Sequence, residues 1–365
     1  MGKEQRLEKI RELEKILNSK VICFLTTDRF NLPPPPQFIS KDCAKILQQH
    51  VATGEKFPKL SLFIVSYGGD MGVPWEIVKL LCGHCDTLQA VIPYVCQSAA
   101  TMIAIGCDER VVGPRGQLSP TDPTLQVKTG AGADAPTISF GVEDINAFIE
   151  FAKNTLGRSF STHSHEALNK LIDRVQPDQL GSINRTYLRN KLLIRKLLNL
   201  NRGTRHPNSR IEKIIRHLTV AYYAHGHTIS RDEMRTDLDL PIIEAESLGC
   251  DKLIWDLYED YASEFESRKL FDAQQEFQAA TVNPLIKRVK GKYIESTKQT
   301  DVYVQTHTIT GTGTPNFNFT VPQIQGATAD LVQQIFNHFM AEMQNQLKPL
   351  QTGKVTSTSG EWIRE

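Results

Sequence analysis

The apolar positions of this chain change period at a few places, and those places mark its elements. LSLFIV, Leu60 to Val65, is an unbroken apolar run of strand length and predicts a buried strand. It runs into the pair Gly68-Gly69, a turn signal, and from about Val73 to Leu81 the apolar residues recur at helical spacing. The same unit then repeats. Leu88 to Val95 predicts a strand, Cys96 and Gln97 a turn, and a helix of small residues opens at Ser98, where Ala99, Ala100 and Ala104 permit close packing. A third strand, Glu109 to Val112, leads into GPRGQLSPTDPT, which is dense in turn formers. Strands alternating with short helices predict an α/β fold with a parallel sheet whose functional groups gather at the carboxyl ends of its strands.

Beyond Pro123 the pattern changes. Thr129 to Thr137 is rich in glycine and alanine and reads as a mobile loop near the active face, a possible substrate lid. Residues 178 to 280 carry helical spacing, as in YLRNKLLIRKLL and LIWDLYEDYASEF, and are expected to cap the sheet and build subunit contacts. From Lys292 to Gln323 the pattern alternates, which predicts a β-hairpin turning at Gly311 to Pro315, followed by a helix from about Ala327 to Gln346 and a polar tail. The expected division is therefore 1–250 as the main domain, 251–290 as a helical extension and 291–365 as a hairpin-and-helix appendage. No solenoid-type repeat is visible.

Chemistry enters with the two turns. Gly68 and Gly69 precede Ser98 by about thirty residues, and an apolar strand leads into each turn. A serine at a helix start can attack a carbonyl while backbone N–H groups, supplied by a glycine turn, hold the oxyanion. The bland reading stands beside this one. A serine followed by alanines is an ordinary helix N-cap, paired glycines can serve a turn that needs φ > 0, and Asp122 in SPTDP is a turn former before it is an acid.

The ordered segments SYGGD, QSAATMIAIGCDERVVGPRGQLSPTDPT and AHGHTISRDEMRTDLDLPI, with LEKILNSKVICFLTTD upstream, resemble the serine dehydrogenase proteinase family. That family is a branch of the Clp-protease/crotonase superfamily and a relative of signal peptide peptidase A. The resemblance covers roughly residues 8 to 250. It implies a Clp/crotonase-like ββα superhelix, Ser98 as nucleophile, Gly68, Gly69 and Ala99 at the oxyanion turn, and Asp122 in the segment that matches the family's LGPIDPQ. It also implies a homo-oligomer of rings or stacked trimers that admits peptides or unfolded chains, with an ATPase or other protein partner in prospect and no metal or organic cofactor. The departures are specific. SYGG stands where the family has TPGG, and Ser98-Ala99-Ala100 where it has SGG or SAG. Where a Clp subunit carries its histidine this chain reads Ser119-Pro120-Thr121-Asp122-Pro123, so a Clp-type triad is not expected.

The base is then sought elsewhere. Burial lowers a lysine's pKa until it can accept a serine proton, as in the Ser-Lys pair of signal peptide peptidases. Lys191, which the resemblance matches to a lysine on the family's long helix, is the first candidate and Lys153 the second. His225, aligned with the family's THDYPI histidine, is the third. A solvated helix charge is the plain alternative for either lysine, and a histidine that satisfies a loop carbonyl is the plain alternative for His225.

Composition bounds the rest. The 365 residues are 40% hydrophobic and 23% charged, ample for a large domain. No run of eighteen apolar residues occurs, and MGKEQRLEKIRELEKIL reads as a charged amphipathic helix, so a soluble, cytoplasmic protein is expected. Seven cysteines without a framework fit a reducing compartment. Cys82-Gly83-His84-Cys85 has redox spacing but no thioredoxin-like strand before it, and no second ligand pair for zinc. Between Asn184 and His217 ten Lys and Arg residues stand against Glu212, yet the whole chain carries only +1 and an acidic stretch from Asp232 to Glu276 offsets the strip, which argues against nucleic acid. The expected function is thus a serine peptidase. The alternatives are a silent scaffold of the same fold, favoured by the replacement of SGG, and an acyl-CoA enzyme whose two N–H groups bind an enolate.

Overall fold

The computed structural model describes residues 2–33, 38–52, 54, 56–121, 124–128, 137–141, 177–202, 206–222, 226–280, 283–312 and 352–365, with isolated residues between 147 and 154 and at 334 and 337. Its centre is the repeated unit that the apolar pattern announces. Strand β1 (Lys20–Thr26) leads to helix α2 (Lys41–Val51), β2 (Phe57–Val65) to α3 (Val73–His84), and β3 (Cys85–Ile92) to α4 (Ala99–Gly106), after which β4 (Glu109–Val112) closes the run. These four strands are mutually parallel in the order β1-β2-β3-β4, and a short β7 (Ile243–Glu244) extends them beyond β4.

Side-chain alternation builds a layer on each face. Ile22 and Phe24 of β1 and Leu60, Leu62 and Ile64 of β2 pack with α2, α3 and α4, and with Ile194 and Leu197 of the long helix α5 (Pro177–Leu200). Val21, Cys23 and Leu25, with Phe63 and Val65, face the opposite way onto α1 (Lys3–Leu17) and α8 (Asp251–Glu264). The chain is α/β, with an eight-stranded mixed sheet between helical layers and nine α-helices among the described residues. The remaining helices are α6 (Asn208–Arg216), α7 (Arg231–Thr236) and α9 (Ala273–Ala279).

The carboxyl-terminal part differs from the expected appendage. Strand β8 (Leu285–Ser296) pairs antiparallel with β1, β9 (Thr300–Thr312) with β8, and β10 (Thr352–Arg364) with β9, so all three belong to the central sheet. The hairpin of β8 and β9 turns at residues 297–299, where Ser296 N–H donates to the Gln299 carbonyl at 2.9 Å. The physical reason is the edge of β1. An unpaired edge beside a buried core invites pairing, and β8 covers it with Tyr293 on one face and Ile294 on the other, both fully buried. The expected polar tail is thus mostly β10. Helix α8, expected in an extension, supplies one layer of the core.

The expected loop at Thr129 to Thr137 falls mostly outside the described residues, which show the short antiparallel strands β5 (Thr124–Lys128) and β6 (Thr137–Gly141) on either side of it. The expected helix from Ala327 to Gln346 also lies outside them, apart from two helical positions, 334 and 337. Among the described residues no helix is long and apolar enough to cross a membrane, and no group of three or more His, Cys, Asp or Glu is placed to hold a metal ion. All seven cysteines are free thiols. Cys82 lies in the last turn of α3 and Cys85 opens β3, and burial pushes the Cys82 thiol up to about 11, away from the thiolate that disulfide exchange needs.

Candidate active site

The carboxyl ends of β2 and β3 carry the two turns side by side. Past β2, Ser66 N–H donates to the Val95 carbonyl at 2.9 Å, and Gln97 N–H returns to the Ser66 carbonyl at 2.9 Å, so the turns are stitched together. Ser66 Oγ accepts from Thr26 Oγ1 at 2.8 Å and from Gly68 N–H at 3.1 Å, tying the glycine turn to the end of β1.

Both glycines are required. Gly68 has φ +111, and a Cβ there would stand 2.7 Å from the Cβ of Ser98. Gly69 has φ +151, and a Cβ there would stand 2.3 Å from the Ile39 carbonyl oxygen. Ile39 N–H donates to the Gly68 carbonyl at 2.8 Å and Asp70 N–H to the Ile39 carbonyl at 2.9 Å, so a strand-like bridge grips the turn. Within this arrangement the Gly69 N–H has no acceptor among the described residues.

Ser98 occupies the step from β3 into α4 with φ 51 and ψ −115. A non-glycine residue in that region costs on the order of 1–3 kcal/mol and persists where its surroundings enforce it. The enforcing contacts are on the next segment. Ser98 N–H donates to Ser119 Oγ at 2.9 Å, Ser119 Oγ donates to the Pro120 carbonyl at 2.9 Å, and Ser119 N–H donates to Thr101 Oγ1 at 3.1 Å. A sharp strand-to-helix turn of this kind exposes a hydroxyl at the top of a sheet. The Ser98 side chain makes no cap bond to the helix, so the N-cap reading has no hydrogen bond behind it. Its Oγ lies 3.5 Å from Met71 Sδ. Ala99 N–H, the first of α4, has no acceptor among the described residues.

Ser98, Gly69 and Met71 line a cavity of about 610 Å³. Phe38, Ile39, Tyr67 and Leu193 give it apolar walls, and Ser40, Asp70, Thr186, Arg189 and Asn190 supply its polar groups. Burial pushes the Tyr67 phenol up to about 12, so it is a neutral wall at physiological pH. Ser40 Oγ accepts a hydrogen bond from Lys292 Nζ. Lys292 is buried, stands 3.7 Å from Asp42 Oδ2 and lies 4.8 Å from the Tyr303 ring centroid.

The sequence-selected residues divide. Gly68, Gly69, Ser98 and Ala99 come together as described. Lys191 does not join them: its Nζ sits 4.1 Å from the Tyr187 ring centroid and it is not among the cavity residues. The cavity face of α5 is Thr186, Arg189, Asn190 and Leu193, spaced at helical intervals, and Lys191 is turned about 100° from Asn190 and 200° from Arg189. Lys153 is exposed and has no described contact with the site. His225 and Asp122 lie outside the described residues.

Sequence reasoning missed Ser119, Arg189, Asn190 and Met71. Asn190 is buried, and its Nδ2 donates to the Thr121 carbonyl at 2.5 Å, fastening α5 to the segment that holds Ser98. Helical spacing puts residues 186, 189, 190 and 193 on one face of α5, but only the fold shows that this face meets the cavity. The chain matches no family model and no curated protein, so the case for its chemistry rests on the geometry of the two turns.

Proposed function

We propose that this protein is a serine peptidase of the Clp/crotonase-like fold, with Ser98 as its nucleophile. One observation carries the reading. Ser98 is held with φ 51 at a strand-to-helix turn, against a glycine that must lack a side chain and beside two N–H groups with no acceptor among the described residues. In the reaction, a base takes the Ser98 hydroxyl proton as Oγ bonds to the peptide carbonyl carbon. The carbonyl electron pair moves onto oxygen, where the Gly69 and Ala99 N–H groups stabilise it. Collapse expels the amine, which takes the proton, and water then hydrolyses the acyl ester. Neither Lys191 nor Lys153 lines the cavity, and the resemblance to the family's THDYPI segment is what makes His225 our candidate for the base. The apolar walls suit peptides or unfolded chains, and a homo-oligomer with enclosed sites would restrict entry to them. Labelling with a fluorophosphonate probe tests this: wild type should react at Ser98, Ser98→Ala should not, and His225→Ala should react more slowly.

A second reading, a silent scaffold of the same fold, is favoured by one observation. The contact of Ser98 Oγ is a thioether, and no Lys or His lines the cavity among the described residues. An assembled wild type that resists the probe would select it.

A further inference from the structure

Arg189 stands on the cavity face of α5, with its Nη2 2.7 Å from where a Cβ on Gly72 would be. Gly72 follows Met71, whose sulfur lies 3.5 Å from Ser98 Oγ, so the guanidinium and the serine line the same cavity. Among the described residues Arg189 has no hydrogen-bond acceptor and no ion pair. The other charged group of the cavity, Asp70, stands near it, with Oδ1 3.2 Å from the same Cβ position on Gly72 and accepting from Gly72 N–H at 2.8 Å, without forming an ion pair with the guanidinium. Arg189 is solvent-exposed and makes no ion pair among the described residues, so its guanidinium is open to an anionic group of a ligand in the cavity lined by Phe38, Ile39, Met71 and Leu193.

We propose that Arg189 binds a carboxylate of the peptide whose carbonyl lies at Ser98, and so makes acidic or carboxyl-terminal peptides the preferred ligands. This rests on the peptidase reading above and names the substrate class of that site. A guanidinium presents two parallel N–H donors that match a carboxylate. A phosphate dianion would need further cations, and the neighbouring lysines do not provide them: Lys191 lies against Tyr187 and Lys292 is paired with Asp42. The carboxylate has two sources, an Asp or Glu side chain and a chain terminus.

Four fluorescein-tagged peptides of one leucine-containing sequence separate the sources, carrying Glu or Gln near the end, each as free acid or amide. Their binding to the full-length Ser98→Ala protein is read by anisotropy, which needs no catalysis. At least one carboxylate peptide should bind about fivefold more tightly than the Gln amide, a ratio set by the worth of an exposed charged pair. Arg189→Gln in the same background should level the four, and Arg189→Lys should keep part of the preference, with melting temperatures showing that each variant is folded. A preference for Glu with an amide end identifies a side chain, and a preference for the free acid identifies a terminus. Equal binding of all four, no binding of any, or a preference that survives Arg189→Gln would overturn the proposal. The peptidase reading fails on a different result, the absence of fluorophosphonate label from wild type.

Discussion

Gly68 and Ser98 are so close that the glycine's missing side chain is part of the serine's environment: a Cβ on Gly68 would lie 2.7 Å from the Ser98 Cβ and 3.1 Å from its Oγ. Gly68→Ala therefore brings two penalties together, the φ of +111 and the contact with the nucleophile. Strain of this kind costs about 1–3 kcal/mol, and the serine must move to relieve it. The variant should melt lower and lose its fluorophosphonate labelling. Gly83→Ala in α3, where an added Cβ meets nothing within 4 Å, should label as wild type does. Equal labelling of both variants would refute the proximity argument.

Ser119 is expected to act through Ser98 without touching substrate. Ser119→Ala removes the acceptor of the Ser98 N–H and lets the turn relax. One hydrogen bond is worth about 1–1.5 kcal/mol, so labelling should slow about tenfold. Ser119→Thr keeps the acceptor and should recover most of the rate. Matching rates for the alanine and threonine variants would show that the bond is idle.

His50 gives a pH dependence far from the cavity. Its Nδ1 bonds Ser296 Oγ at 2.9 Å and its Nε2 bonds Asp301 Oδ2 at 3.0 Å, joining α2 to the β8-β9 hairpin. Burial is the largest influence and lowers the imidazole pKa to about 4 from 6.5, with Asp301 opposing it and Arg364 and Lys298 adding to it. The folded value lies below the unfolded one, so the unfolded chain binds the extra proton. Stability from this group is complete above about pH 6.5 and is lost as pH falls toward 4, at about 1.4 kcal/mol per pH unit within that window. Urea midpoints measured near pH 7 and pH 5 should separate in wild type and draw together in His50→Asn.

Arg6 anchors α1 to the sheet. Its Nε donates to Glu295 Oε2 at 3.0 Å and its Nη1 to Glu264 Oε1 at 3.1 Å, with Arg6 and Glu295 both buried. Arg6→Met leaves the Glu295 carboxylate buried without its cation and should cost about 3–5 kcal/mol in chemical denaturation. Adding Glu295→Gln should restore part of that loss, because the stranded charge is removed. A double variant weaker than the single one would contradict this account.

Much of the fold was legible because the apolar runs are continuous and the turns between them are marked by glycine or proline. Leu60 to Val65, the helix from Val73, Glu109 to Val112 and the helix opening at Ser98 all lie where periodicity put them, within a few residues at their ends. The sheet partner of β1 was not legible. Alternation in residues 292–323 announces strands, but pairing with a strand some 270 residues earlier leaves no local trace, and β10 is polar enough to read as tail. In the site, glycine and serine were readable because backbone geometry restricts them to few residue types. Arg189 and Asn190 were not, since their importance lies in the face they occupy, and Lys191 drew attention by chemistry while pointing elsewhere.

The central claim is an activated hydroxyl at Ser98, and the most direct test is fluorophosphonate labelling of purified wild type and Ser98→Ala, with the modified peptide mapped by mass spectrometry. The account predicts a single adduct on Ser98 that disappears in the alanine variant. A wild-type protein that takes no label, or an adduct that persists at another residue in Ser98→Ala, would contradict it.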